Sequence, residues 1–258
     1  VEVAAGHSWH EFVLWAIENG YGGIENLSLI PGHVGTAPIQ NIGAYGVEVK
    51  SSIESLRFYR WETGETEVLN NNVCEFGYRT SVFKTKLRNK GVILSVNFKL
   101  TKNEHNLNTK YGSVIDEINK MGKIPSILNI SKAIISIRSA KLPDPKNIGN
   151  SGSFFKNPII SKNTLIDLRE KHKNIPFYVH ENASVKLSAG WLIEMSGWKG
   201  KSHGDAGMHD KQALVLVNHG NATGEELWDF AKEVKEDVYK NFNINLEPEV
   251  NLIGLVNN

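Results

Sequence analysis

The chain has 258 residues, 40% hydrophobic and 22% charged, with a formal net charge of +1, enough for a sizeable core in one large domain or two ordinary ones. The near-neutral balance and lack of a long basic run argue against nucleic acid as the main partner. A single cysteine, Cys74, excludes an internal disulfide framework and a C-x-x-C pair, and with no apolar run of membrane-spanning length and no secretory signal at the start, a soluble cytoplasmic protein with no membrane partner is the expectation.

In chain order, Val1, Val3 and Ala5 alternate with Glu2 and Ala4, which reads as a strand already under way and suggests a chain cut from something longer. Ser8 and Glu11 fit a capping box before an apolar stripe of Trp9, Phe12, Val13, Ala16 and Ile17, and Gly20 fits the helix stop. "GGIENLSLIPGHVGTAPIQNIGAYG" reads as a long loop, a kind of segment that is often functional. Residues 47 to 101 return to strands, with a hairpin around Thr63 and Gly64 and a strong strand at "GVILSVNFKL". Residues 102 to 142 are more polar, their helical piece being "GSVIDEINKMG".

Composition changes near residue 142, where a domain boundary is expected. Beyond it come helices near "NTLIDLREKH" and "SAGWLIEMSG" and a strand at "QALVLVN". A long amphipathic helix starts at Thr223, with Glu226 completing a capping box and Leu227, Phe230, Ala231, Val234 and Val238 as its buried stripe. The ending "INLEPEVNLIG" reads as strand. Strands and helices in mixed order imply an α+β fold rather than a doubly wound parallel sheet.

Several segments invite a chemical reading. The loop from Ser28 to Gly46 could cradle a phosphate or ring on glycine backbone, or could be purely structural; it fits neither G-x-G-x-x-G nor a P-loop. Arg79, among aromatics in "CEFGYRTSVFK", could stabilise a developing negative charge, but alone it reads more readily as a surface arginine. His203, Asp205, His209 and Asp210 match no familiar metal-ligand spacing, so no metal is expected. Lys141 and Lys146 flank a stiff double-proline turn suited to phosphate or to solvent. Glu249 in "EPEV" is either exposed on a strand face or buried by design. Cys74 reads as a small buried filler. In "GNSGSFFKNP", Ser153 stands between Gly152 and two phenylalanines: a turn entering a strand, or a hydroxyl held still beside a ligand. Asn157 is expected on that same strand.

Six stretches together carry a resemblance: "ENLSLIPGHVGTAPIQNIGAYGVE", "FGYRTSVFK", "KLPDPKNIGNSGSFFKNP", "SVKLSAGWLIE", "KQALVLVN" and "LEPEV". In this order they resemble the UDP-N-acetylenolpyruvoylglucosamine reductases of peptidoglycan synthesis, in the subclass with a substrate-covering tyrosine loop. The resemblance implies the second lobe of a two-lobed FAD-binding domain over 1–142, with the tyrosine-loop insertion at about 102–142, a smaller α+β substrate-binding domain over 143–246, and a C-terminal segment over 247–258 returning to the active site. NADPH would reduce FAD, and a hydride would pass to the enolpyruvyl group of the UDP-sugar.

By the same resemblance, Ser153 is the proton donor, and Arg79 and Glu249 stabilise the enolate. Tyr111, Lys141, Asn157, Tyr178 and Gln212 hold the substrate. FAD contacts are expected from Ser28, Pro31, Gly32, Gly35 and Ala37, and from Gln40, Asn41, Gly43, Ala44 and Tyr45. The family's oligomeric form implies a monomer. Two departures stand out: the "GGGSN" phosphate loop that precedes the first strand in the family is absent, and Asn251 replaces an arginine common after "EPEV". The first implies weak FAD binding, a nearly colourless protein and little NADPH-dependent activity. The alternatives are a fragment that binds only the UDP-sugar, or a noncatalytic interaction domain; the presence of Arg79, Ser153 and Glu249 speaks against the latter.

Overall fold

Val3, Val96, Leu56 and Leu69 stand in one row across four antiparallel strands, and all four are buried. That row is the period-2 face of a sheet turned to a core. The computed structural model describes residues 1–111, 113–180 and 182–254, and it divides into two units, Val1–Ala140 and Lys141–Asn258.

Unit 1 opens with β1 (Glu2–Ala4) and α1 (Trp9–Glu18). Ser8 caps α1 by accepting from Glu11 N at 3.4 Å, one half of the expected box, and Gly20 ends it at φ +74°. The whole predicted stripe of α1 is buried, with the Phe12 and Phe98 rings 4.8 Å apart. The Trp9 indole N–H, buried with them, donates to Leu27 O at 2.9 Å. A two-stranded hairpin, β2 (Gly43–Ala44) and β3 (Val47–Glu48), precedes β4 (Ile53–Arg60), β5 (Thr66–Asn70) and β6 (Gly91–Phe98). The main sheet has the order β1-β6-β4-β5.

After it come α2 (Val114–Lys120) and α3 (Ile127–Lys141). The expected helix near "GSVIDEINKMG" is α2. The longer α3 departs from the sequence reading, which placed a single helix in 102–142. "ILNISKAIISIR" is rich in isoleucine and serine, weaker helix formers than alanine or leucine. Its helical state rests on packing: Ile127 joins the main core, while Ile130, Ala133, Ile134 and Ile137 form a second cluster with Val114 and Ile118 of α2.

Unit 2 contains β7 (Gly149–Ser153), β8 (Ile159–Ile160), α4 (Lys162–Lys171), β9 (Phe177–Val179), β10 (Val185–Leu187), α5 (Ala189–Met195), β11 (Ser202–His203), β12 (Ala206–Met208), β13 (Val215–Asn218) and α6 (Gly224–Phe242). Its sheets run β8-β10-β9 and β11-β12-β13-β7, every pair antiparallel. Helices α5 and α6 supply much of a core that includes Phe154, Phe155, Leu187, Leu192, Val234 and Val238. The Thr223–Glu226 capping box of α6 is complete.

The tail differs from expectation. Its segment around Glu247–Glu249 lies antiparallel to Phe154–Lys156 but forms a single bridge, Phe155↔Pro248, because Pro248 has no N–H to extend a ladder. Asn157 likewise lies beyond β7, which ends at Ser153; the following Pro158 cannot donate to a ladder.

Candidate active site

In unit 1 the candidate residues gather on the β2–β3 hairpin. The turn holds Tyr45 at φ +48° and Gly46 at φ +78°, the paired positive values of a type I′ turn. Gly43 is required by crowding: a Cβ there would lie 2.9 Å from Arg79 Nη1 and 3.1 Å from Val47 O. The Arg79 guanidinium donates to the Gly43 carbonyl at 2.5 Å and lies 5.3 Å from the Tyr78 ring centroid. Arg79 itself stands at φ +53°, a conformation that costs an L-residue about 1–2 kcal/mol. It sits in a turn closed by Gly77 N to Thr80 O at 3.1 Å and Thr80 N to Gly77 O at 3.3 Å.

The loop leading into this hairpin is mostly tied down. Ser28 is buried, its hydroxyl donating to Glu25 O at 2.7 Å and lying 2.8 Å from Ser131 Oγ. Asn41 is buried, its amide donating to Glu48 Oε2 at 3.1 Å and Gly77 O at 3.0 Å while Oδ1 accepts from Lys50 N at 3.0 Å. Gly35 and Ala37 are buried; Gln40, Gly43, Ala44 and Tyr45 are half-buried; Pro31 and Gly32 are exposed. The backbone N–H groups of Gly35 and Ala37 are taken up inside the protein, by Ala5 O at 2.9 Å and Val34 O at 3.2 Å.

Leu29, at φ +58°, is held from both sides: its N–H donates to His10 Nδ1 at 3.0 Å and its carbonyl accepts from Arg138 Nε at 3.2 Å. Burial, reinforced by the Arg138 charge, lowers the His10 pKa. Burial raises that of the Tyr45 hydroxyl, against the pull of Arg138 to which it is hydrogen-bonded; burial also lowers Arg138, and Tyr45 offsets it. Asn26 Nδ2 donates to Tyr45 O at 3.1 Å and Asn108 O at 2.9 Å, and Asn108 Nδ2 donates to Gly46 O at 3.1 Å. Tyr111 lies against the same turn, its Cβ 3.2 Å from the point a Gly46 Cβ would occupy. Asn26, Asn108, Ser131 and Arg138, which hold this loop, escaped the sequence reading. The one local signal is Arg138 itself, a cation directly after Ile137 in an isoleucine-rich helix.

These residues fit a flavin in kind. Gly32 is exposed at φ +112°, with the Thr36 hydroxyl the single heavy atom within 4 Å of its absent Cβ. Such a glycine leaves a flat approach for a ring or a phosphate.

In unit 2 the backbone of Phe154 is the organiser. Its N–H donates to Leu214 O at 2.8 Å and its carbonyl accepts from Glu249 N at 2.8 Å. Ser153, paired with Val215, precedes it, so Ser153 and Glu249, nearly a hundred positions apart, meet at one residue. Gly152 takes φ +72° with nothing within 4 Å of its absent Cβ, and Ser153 is exposed. Phe154 and Phe155 are both buried, rings 5.0 Å apart edge to face, and anchor the serine from one side.

Asn157 Oδ1 accepts from Ala189 N at 2.9 Å, and Gln212 Oε1 lies 3.1 Å from where a Gly190 Cβ would stand, so both amides border the start of α5. Glu249 is half-buried. Tyr178 stands on β9 opposite Lys186, in a different sheet from Ser153, and Lys141 is exposed at the end of α3. His209 Nε2 lies 3.4 Å from Asp210 Oδ1 and His203 Nδ1 3.0 Å from Glu233 Oε2; among the described residues no group of three potential metal ligands forms.

Comparison with known proteins agrees with this architecture. Residues 1–70 match the model of an FAD binding domain, and residues 144–253 match that of the UDP-N-acetylenolpyruvoylglucosamine reductase C-terminal domain. The fold, with a flavin domain followed by a second α+β unit, is that of an FAD-dependent oxidoreductase. The chain is 51% identical to the UDP-N-acetylenolpyruvoylglucosamine reductase of Flavobacterium johnsoniae over 98% of its own length and 75% of that protein. It is 47% identical to that of Bdellovibrio bacteriovorus, over 96% and 74%. It belongs to the UDP-N-acetylenolpyruvoylglucosamine reductase family and spans about three quarters of the length of these relatives. The crystal structure of the Thermus caldophilus UDP-N-acetylenolpyruvylglucosamine reductase shares the fold, with a TM-score of 0.67 at 24% identity over 96% of this chain and 71% of that one.

Proposed function

We propose that the protein reduces the enolpyruvyl group of UDP-N-acetylglucosamine enolpyruvate to the lactyl ether of UDP-N-acetylmuramate, with NADPH as reductant, in cytoplasmic peptidoglycan synthesis and as a monomer. Residues 1–142 serve as the flavin domain, 143–246 as the sugar-nucleotide domain, and 247–258 as the returning tail. When bound, FAD supplies the hydride.

The chain's own residues handle the charge and the proton. Hydride addition to one carbon of the double bond places negative charge on its neighbour and on the adjoining carboxylate. Arg79 neutralises that charge, an effect largest in a dry site. Ser153 Oγ gives the proton to the carbon next to the carboxylate, and Glu249, as the neutral acid, helps to stabilise the enolate by donating a hydrogen bond to its oxygen. Asn157, with Oδ1 engaged by Ala189 N, presents its amide N–H groups to the substrate diphosphate or sugar. Tyr111, Lys141, Tyr178 and Gln212 complete the grip. The exposed turn at Pro31–Gly32, with Gln40, Ala44 and Tyr45, takes the flavin. Supporting this reading is the convergence of Ser153 and Glu249 on Phe154, within a chain of this family.

Ser153→Ala tests it in the FAD-loaded enzyme. Flavin reduction by NADPH stays near normal, because that half-reaction needs no proton on the sugar. The half-reaction with the enolpyruvyl sugar slows by ~10²–10⁴-fold, as for loss of a general acid, or about 3–5 kcal/mol of barrier. If both half-reactions fall together, or neither changes, Ser153 is a turn residue and the assignment fails.

A further inference from the structure

The Asn41 side chain is fully committed inside unit 1, and its partners are the two segments that frame Arg79. One amide N–H holds Glu48 Oε2, on the strand opposite Gly43. The other holds Gly77 O, in the turn that carries Arg79. Oδ1 accepts from Lys50 N, which fixes the amide's orientation, and Lys50 Nζ pairs with Glu48 Oε2 at 3.1 Å. Gly43, the carbonyl partner of Arg79, is two residues from Asn41 along the chain. Asn41 is itself at φ +45°, a conformation asparagine tolerates better than most residues.

We infer that Asn41 is a positioning residue for Arg79: its amide clamps the Gly77–Thr80 turn to the Gly43–Glu48 hairpin and so aims the guanidinium. This rests on the reading of Arg79 as the cation that stabilises the enolate. It gives Asn41, expected from resemblance to touch FAD, a different task. The geometry explains how an arginine in a left-handed conformation keeps one direction: its turn is anchored from a buried amide, and its head rests on a carbonyl that only a glycine leaves accessible.

Asn41→Asp is the test. Aspartate tolerates the same backbone and can still accept from Lys50 N, but it replaces both donations with a carboxylate facing Glu48 and the Gly77 carbonyl. In the FAD-loaded enzyme the half-reaction with the enolpyruvyl sugar slows by ~10²-fold, the scale of a misplaced catalytic group, while the NADPH half-reaction stays within about twofold of normal. Amide hydrogen exchange in residues 76–80 rises and that of the β4–β6 strands does not. In an Arg79→Ala background, Asn41→Asp adds almost nothing, since a residue acting through another has no effect once that other is gone.

Multiplicative effects in the double variant, or an equal fall of both half-reactions, overturn the proposal. Unchanged exchange in 76–80 also overturns it, while leaving the active-site reading intact. If Arg79→Ala alone leaves the sugar half-reaction unchanged, the active-site reading falls and the effect of Asn41 on that half-reaction with it, even where the exchange result holds. Should Asn41→Asp not fold, Asn41→Gly removes the amide without straining the positive φ, and the same outcomes apply.

Discussion

Leu29, Asn41, Tyr45 and Arg79 all hold a positive φ, and each has its backbone or side chain fastened by a residue distant in sequence or in an adjoining segment. Strained positions persist where the surroundings over-determine them, and such positions cluster at functional sites. Cys74 illustrates the opposite case, a residue that burial makes inert. Desolvation raises its thiol from 9.0 to about 11, so it stays protonated at neutral pH and reacts slowly with Ellman's reagent unless the protein unfolds. A folded-state pKa above the unfolded one means that the folded protein holds this proton more tightly. The stability gained is complete below about pH 9 and is lost as pH rises toward 11, at ~1.4 kcal/mol per pH unit. Urea melts at pH 8.5, 9.5 and 10.5 check this: Cys74→Ala loses less stability over that range than the wild type, and equal losses refute the assignment.

Helix α6 shows how local chemistry sets an element's start. Thr223 Oγ1 accepts from Glu226 N at 3.2 Å and Glu226 Oε2 accepts from Thr223 N at 2.7 Å, so two of the helix's orphan donors are satisfied reciprocally. Thr223→Ala removes the cap and costs ~1 kcal/mol, within the usual 0.5–2 kcal/mol, as a lower urea midpoint with unchanged slope. The Thr223 backbone N–H and, at 2.9 Å, its hydroxyl both donate to Glu226 Oε2 and lower the pKa of that carboxyl. The depressed pKa means that the capping contribution is present above the unfolded-state pKa and fades as pH falls through the folded-state one. The difference between wild type and Thr223→Ala therefore narrows in acid. By contrast, the main sheet of unit 1 depends on a glycine: a Cβ at Gly91 would stand 2.1 Å from Tyr59 O, in the β4–β6 pairing.

The two units have separate cores: unit 1 holds the clusters around Trp9, Leu56 and Val96 and around Ile130 and Ile134, and unit 2 that around Phe155, Leu192 and Val234. Separate cores allow separate cooperative openings, so one unfolding free energy need not describe the chain. Leu192→Ala, at a fully buried site in α5, destabilises unit 2 by ~2–5 kcal/mol. Amide exchange then accelerates in β7, β12, β13 and α6 while β4 and β6 keep their protection. Equal acceleration in both would show a single cooperative fold. Membership of the family is likewise a property of the whole chain and of no single residue contact.

Local signals sufficed where a segment's state depends on its own residues. The α1 stripe, the α6 stripe apart from Leu227, which is half-buried, and Phe242, which joins it, the Thr223–Glu226 box, the Thr63–Gly64 hairpin and the α+β class were legible because period, capping and turn chemistry act within a few residues. The ordered set of motifs was also enough to point to the family. What remained hidden was decided by partners far along the chain. Helix α3 is helical because α2 and the main core receive its isoleucines. The tail is bridged rather than laddered because Pro248, opposite Phe155, has no N–H to give. The return of the tail toward Ser153 was expected from the resemblance alone; the way it is made, Glu249 N donating to the Phe154 carbonyl, was decided by residues nearly a hundred positions apart. Asn41 was visible as a polar residue in a glycine-rich loop; that its amide faces Glu48 and Gly77 instead of solvent follows from burial, since an amide carried into a core must find its hydrogen bonds there. Periodicity and capping are properties of a segment, whereas desolvation and the partners it demands exist only once the segments have met.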